Sequence, residues 1–280
     1  PPYLVIGPED TGGLDTRPDL DGLSYPYFLK LSHEDASVGI DGTNVVRDRA
    51  ALIARVRALL GRWDQAVIAE RYIAGREVNA TVLGSGSNFP TQRRLPSSFF
   101  LEEGGTKILL DCGHSALGRL AEMGIDPREL DAVFISHFHP DHFGDAFNLV
   151  VARYVGDVYE GAKPKGPLLF FGPRTLEERF KTWRTLCWPE PNDHYPLTFF
   201  EGIVTHTVGP FRIETFPVKH VPWFESVGIR VIVGAKVLVY PGDIGSSHDF
   251  ASLVETTRNA DLFMIETGYP QRTPNHWTLE

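Results

Sequence analysis

Residues 134–145 read FISHFHPDHFGD, and this stretch restricts the fold more than any other. Four groups with lone pairs to donate, His137, His139, Asp141 and His142, fall within six positions directly after the apolar run DAVFI. Such a run reads as a buried strand, and Pro140 turns the chain just beyond it. On an extended strand end, side chains two apart share a face, so His137 and His139 suit one divalent ion. Asp141 and His142, past the turn, suit a second. Imidazole nitrogen and carboxylate oxygen are the usual donors to a catalytic zinc, whereas a polar turn has no structural need of so many. A lone histidine carries no such weight, and His33, His194 and His206 read as solvated or hydrogen-bonded side chains.

The rest of the chain divides by texture. Residues 1–80 read as a small α+β unit. YPYFLKLS, AVIAERYI and EVNATVL are strand-like. DRAALIARVRALLG is a helix with Asp48 as its cap, Gly61 at its end and Leu52, Val56, Leu59 and Leu60 at helical spacing. The Gly-, Pro- and Asp-rich segment from Pro8 to Gly22 reads as a loop. From Thr81 onward short strands are punctuated by Gly and Pro: TVLGSGS, SSFFLEE, KILLD, DAVFIS, LLFFG, FRIETFPV, VGIRVIV, KVLVY and DLFMIE. Helical segments fall around Ser115 to Met123, His142 to Tyr154, Thr175 to Thr185 and His248 to Arg258. Strands paired locally and then alternating with helices predict two sheets with helices outside, an α/β sandwich over 81–280.

Composition excludes several classes. With 280 residues and 42% hydrophobic content the chain can bury a real core. No apolar run approaches the ~20 residues that span a bilayer, and the N-terminus lacks a secretory pattern. Cys112 and Cys187 are too few for a disulfide framework. These features predict a cytoplasmic protein with no membrane partner. A net charge of −9 disfavours long nucleic acid, because binding to a phosphate backbone draws its affinity from Lys and Arg.

The motif, its preceding strand and several ordered features resemble the metallo-β-lactamase fold superfamily, from about Thr81 to the C-terminus. VLGSGS looks like its opening strand and glycine turn, ILLDCG like the strand whose Asp111 buttresses the metal loop. FPVKHVPWFESVGIRV looks like the segment supplying the third histidine, here His220, and VLVYPGDIG like the strand ending in the bridging carboxylate, here Asp243. The closest likeness is to the ribonuclease Z-like and phosphodiesterase branch, in which FMIETGYPQRTPNHWT resembles the "HEAT…HST" segment, with Glu266, Thr267, His276 and Thr278. The resemblance implies an αββα sandwich and two divalent ions, zinc first, with manganese or iron on similar ligands. His137, His139 and His220 would hold the first ion, Asp141 and His142 the second, and Asp243 both. Asp141 would also orient the attacking hydroxide between them, and His276 would act as an acid or phosphate contact.

Two departures shape the expected function. The branch supplies a further histidine beyond the "HST" segment, whereas this chain stops at Glu280. That predicts a C-terminally shortened sandwich with an open edge, and such edges tend to be covered by another chain, hence a homodimer. Only IRVIVGAKVLVYPG separates Gly228 from Asp243, without the long arm of transfer-RNA-processing members. The expectation is a dinuclear hydrolase of a small phosphodiester, phosphotriester or cyclic nucleotide. A lactonase or β-lactamase, or a remnant that binds metal or nucleotide without turnover, are the alternatives. Phe138 and Trp223, beside ligands, are expected to line the cleft, as the glycine turn at Gly84 to Gly86 is to approach a phosphate. Trp183, Trp188 and Tyr195 fit either a leaving-group wall or ordinary packing.

Residues 1–83 resemble part of an ATP-grasp ligase of the D-alanine–D-alanine ligase type. By that likeness Lys30 would meet nucleotide phosphates, DASVGI would cover them and Glu70 would lie near the adenosine. The family's magnesium ligands are missing, so the fragment's expected role is structural: a cap or a dimer contact. VNATVLGSGS fits the end of one family and the start of the other, which predicts one strand shared by both folds.

Overall fold

Asp48 starts the first helix as its position requires, its Oδ1 accepting the Ala51 N–H at 2.8 Å in the computed structural model of the chain. The structure describes residues 3–32, 42–71, 78–89, 91, 94–160, 166–188, 196–266 and 273–277. The chain divides into two units, Pro1–Glu77 and Val78–Glu280. The DASVGI loop, Thr267, Thr278 and Tyr195 lie outside the described residues.

In the first unit, β1 (Tyr3–Ile6), β2 (Tyr27–Leu31), β3 (Val45–Val46) and β4 (Val67–Arg71) form an antiparallel sheet in the order β1-β4-β2-β3. Helix α1 (Arg49–Leu60) buries Leu52, Ile53, Val56 and Leu59 against Leu29, Leu31, Val67 and Ala69. The segment expected as a loop instead winds into 3-10 turns at Pro8–Thr16 and Pro18–Leu20. Its Leu14 and Leu20 enter the same core, each contributing about 2 kcal/mol of burial. Lys30 Nζ and Glu70 Oε1, on adjacent strands, pair with one another at 2.8 Å.

The second unit opens with β5 (Asn79–Gly84), β6 (Ser98–Glu103) and β7 (Thr106–Leu110), followed by α2 (Ala116–Glu122) and β8 (Ala132–Phe134). The short α3 (Pro140–Phe143), α4 (Ala146–Glu160), β9 (Leu168–Gly172), α5 (Leu176–Cys187) and β10 (Leu197–Glu201) complete a six-stranded sheet in the order β10-β9-β8-β7-β6-β5. A five-stranded sheet follows, of β11 (Thr205–Val208), β12 (Phe211–Val218), β13 (Ser226–Val233), β14 (Lys236–Tyr240) and, after α6 (Phe250–Thr257), β15 (Leu262–Phe263). Among the described residues β5 pairs only with β6, so the expected shared strand belongs to this sheet alone. The strands LTFFE and THTV are not legible from their own residues. Each is recruited by a neighbour, β10 lying parallel to β9 and β11 antiparallel to β12.

Alternation sorts each strand between two cores. Ile108, Leu110, Phe134 and Phe171 turn toward Phe211, Ile213, Ile229 and Val231 of the second sheet. Leu109, Val133 and Phe170 turn the other way, under Leu120 of α2, Leu149 of α4 and Phe180 of α5. On the outer face of the second sheet Leu253 of α6 packs with Val218 and Ile244. The result is the αββα sandwich expected, with β7, β8, β13 and β14 delivering their ends to one edge. No helix of the described residues is long and apolar enough to cross a membrane.

Candidate metal centre

Strand β8 ends at Phe134, and the chain continues past Ser136 to His137 and His139 before Pro140 starts α3. The backbone here is fixed from below by Asp111, whose own φ of +55° is a conformation Asp tolerates better than most residues. Asp111 Oδ1 accepts the Ser136 N–H at 2.7 Å, while Oδ2 accepts the Ser136 hydroxyl at 2.8 Å, His142 Nδ1–H at 2.6 Å and the Tyr240 hydroxyl at 2.5 Å. All of these groups are buried. A buried carboxylate is tolerated only when its lone pairs are matched in this way. Gly113 lets the loops close, since a Cβ there would stand 2.1 Å from the Asp141 carbonyl oxygen.

His137, His139, His220 and Asp243 bring one donor atom each within 4.8 Å of all the others. His139 Nδ1 lies 3.0 Å from His137 Nε2 and 3.2 Å from His220 Nε2. The outer ring nitrogens decide the tautomers. Because the Ser136 hydroxyl donates to Asp111, its oxygen accepts Nδ1–H of His137 at 3.0 Å. His220 Nδ1–H donates to the Asn275 carbonyl at 2.7 Å. Both Nε2 atoms therefore point bare lone pairs at His139 Nδ1, which carries at most one proton. Burial keeps all three rings neutral, lowering the pKa of His137 and His139 and taking His220 to about 4. Crowded lone pairs around a common point are satisfied by a cation, so the donor set fits a divalent metal ion.

A second set of donors lies on the other side of Asp243. Its Oδ2 faces His137 and His220 Nε2 at 3.9 and 3.8 Å, and its Oδ1 faces His142 Nε2 at 3.3 Å. Asp141 Oδ2 lies 3.7 Å from the same His142 nitrogen. Burial opposes charge on His142, but Asp243 and Asp111 outweigh it and raise its pKa; the same pairing holds Asp243 ionised against its burial. Burial raises the pKa of Asp141.

His276 arrives from the C-terminal segment. Its Nδ1 is 2.8 Å from Glu266 Oε2 and 3.7 Å from Asp243 Oδ2. Burial works against its charge, but the hydrogen bond to Glu266 prevails and its pKa rises. Glu266 is itself anchored, accepting the Ile244 N–H at 2.7 Å. Asp243, Glu266 and His276 form a further cluster of possible ligands.

A cavity of about 800 Å³ opens beside these groups, bounded by Ser85, Gly86 and Asn88 on one side and Phe263 and Ile265 on another. The glycine turn thus reaches the cleft. Phe138 and Trp223, expected to line it, do not. Phe138 packs on Phe143 beneath the Arg179 guanidinium, and Trp223 is 65% exposed. Phe224 takes the place of Trp223 against the histidines, stacking on His137 with centroids 5.9 Å apart. Trp183 lies flat on Phe147 at 4.7 Å, and Trp188 meets Tyr154 edge-on. Ser136, Tyr240, Phe224 and Asn88 are the site residues that sequence reasoning missed.

Residues 92–274 match the family model described as the metallo-beta-lactamase superfamily, and the chain belongs to that superfamily. Residues 15–101 match the model described as the D-ala D-ala ligase C-terminus. Ribonuclease Z of Mycolicibacterium gilvum is 27% identical over 181 residues, 59% of this chain and 61% of that one. The chain therefore spans about three fifths of the length of that relative. YhfI of Bacillus subtilis is 29% identical over 195 residues, covering 69% of this chain and 73% of its own. The crystal structure of YhfI, a metallo-beta-lactamase fold protein, superposes with a TM-score of 0.58 at 26% identity, over 71% of this chain and 76% of that one. A diphosphatase from the PhnP family has the same fold, at a TM-score of 0.56 and 21% identity, over 72% of this chain and 79% of that one.

Proposed function

We propose that the chain is a two-metal hydrolase of phosphoester bonds in small molecules, working in the cytoplasm. His137, His139 and His220 would hold one ion, zinc by preference, Asp141 and His142 the second, and Asp243 would bridge them. The observation that carries this reading is the division of Asp243, one oxygen toward each donor set. A pair of such ions supplies a water of lowered pKa and Lewis-acid stabilisation of phosphoryl oxygens. The chain's own residues supply the rest. Asp141 orients the attacking group, Asp111 holds His142 and the loop in place, and Phe224 covers the histidines on one flank. His276, whose pKa is raised by its hydrogen bond to Glu266, is suited to hand a proton to the departing oxygen.

A small substrate agrees with the cavity of about 800 Å³, within the range of small-ligand sites. It also agrees with the tight turn between β13 and β14, which leaves no arm there to hold a long RNA. The ribonuclease Z relatives favour RNA as a second reading.

The test is elemental analysis of metal per chain together with turnover, on one sample, of bis(p-nitrophenyl) phosphate, a phosphotriester, a lactone, a β-lactam and an RNA oligonucleotide. Two ions per chain and highest kcat/KM on a small phosphoester are expected, with His139→Ala at least about 100-fold slower and unchanged in circular dichroism. Faster lactone or β-lactam turnover would replace the proposal with acyl hydrolysis, and faster RNA cleavage with the second reading. Rates equal to those of His139→Ala on every substrate would leave a metal-binding remnant.

A further inference from the structure

Asn88 lies on the exposed turn after β5, in the wall of the cleft, yet its side-chain amide reaches inward and donates to Asp141 Oδ1 at 2.7 Å. An ionised carboxylate offers only acceptors, so the amide must present its NH2 group. That bond takes up one oxygen of Asp141 and leaves Oδ2 on the side of His142 Nε2 and Asp243 Oδ1. The backbone below is equally constrained, because the Asp141 carbonyl lies against Gly113 where no Cβ fits. Asp141 is thus held at its carbonyl by one loop and at its carboxylate by another. We infer that Asn88 is a positioning residue that presents Asp141 Oδ2 to the second ion, an inference resting on the two-metal reading above.

The residue type suits the task. A Lys at this place would neutralise the carboxylate and compete with the cation. A neutral amide orients the carboxylate and leaves its charge for the ion, as hydrogen-bonding partners of ligands do elsewhere. Asn88 shares its turn with Ser85, Gly86 and Phe89, which also border the cavity. The element that meets the substrate is therefore the one that aims Asp141.

The test is calorimetric titration of metal-free protein with zinc chloride, for the unaltered chain, Asn88→Ala and Asn88→Leu. In both variants the second equivalent should bind at least about 10-fold more weakly, the first should be unchanged, and the melting temperature of the metal-free protein should not move. An unchanged second equivalent would overturn the role of Asn88 alone. Equal weakening of both equivalents, with a lowered melting temperature, would also overturn it, showing a purely structural turn residue. A single equivalent in the unaltered chain would overturn the two-metal reading and this inference together.

Discussion

At the scale of single residues, Asp111 is the hinge between fold and site. It is fully buried, and four hydrogen bonds converge on it from Ser136, His142 and Tyr240. Removing it leaves those buried donors unmatched, at about 1–3 kcal/mol each. Asp111→Ala should therefore destabilise the protein by more than about 3 kcal/mol, read by urea denaturation. Tyr240→Phe removes a single charge-assisted bond and should cost about 1.5–3 kcal/mol. Equal stability of the two variants would show that Asp111 is not the shared support. The cluster of His137, His139, Asp141 and His142 was legible because its members are neighbours in sequence. Asn88 and Asp141 are 53 positions apart, and Tyr240 and Asp111 are 129 apart. Nothing local in either member of such a pair marks the other.

At the scale of elements, the site is made where the ends of β7, β8 and β14 meet the turn before α3. The approach of the β7–α2 turn to α3 allows no side chain at Gly113, since a Cβ would lie 2.1 Å from the Asp141 carbonyl and 2.8 Å from Pro96. Gly113→Ala should cost about 3 kcal/mol through forced backbone movement, and should lower metal affinity because the atom struck belongs to Asp141. Retained stability and affinity would show that the two turns separate freely. The central strands announce themselves through alternation or apolar runs, as KILLD and DAVFI do. LTFFE and THTV do not, because their pairing comes from β9 and β12. The Pro8 to Gly22 segment was misread for a related reason. Its composition is that of a loop, but Leu14 and Leu20 are drawn into a core formed by α1 and the sheet.

At the scale of the whole molecule, the chain divides into two compact units, and the candidate metal ligands described above all belong to the second. Ligand binding to the folded form raises stability by mass action, about 2.7 kcal/mol at a hundredfold excess over Kd. For a unit of this size that corresponds to a melting temperature higher by about 5–10 °C. Calorimetric scans of the full chain should show that rise on adding zinc to chelator-treated protein, confined to the transition of residues 78–280. An unchanged scan would mean that the donors do not bind zinc as a folded site. The net charge of −9 sets a background against long polyanions.

By itself the sequence determined the sandwich, the join to a ligase-like unit and the candidacy of His137, His139, Asp141, His142, His220, Asp243 and His276. The strand and helix pattern and the cluster from His137 to His142 rest on local periodicity and spacing, whereas the αββα arrangement, the join and the candidacy of His220, Asp243 and His276 rest on resemblance to known families. Only the tertiary structure decided that Asp243 turns one oxygen to each donor set, that Phe224 rather than Trp223 covers the histidines, and that Asn88 grips Asp141. Those facts concern distances between atoms far apart in the chain, and such distances exist only once two sheets have packed and brought their loops to a common edge.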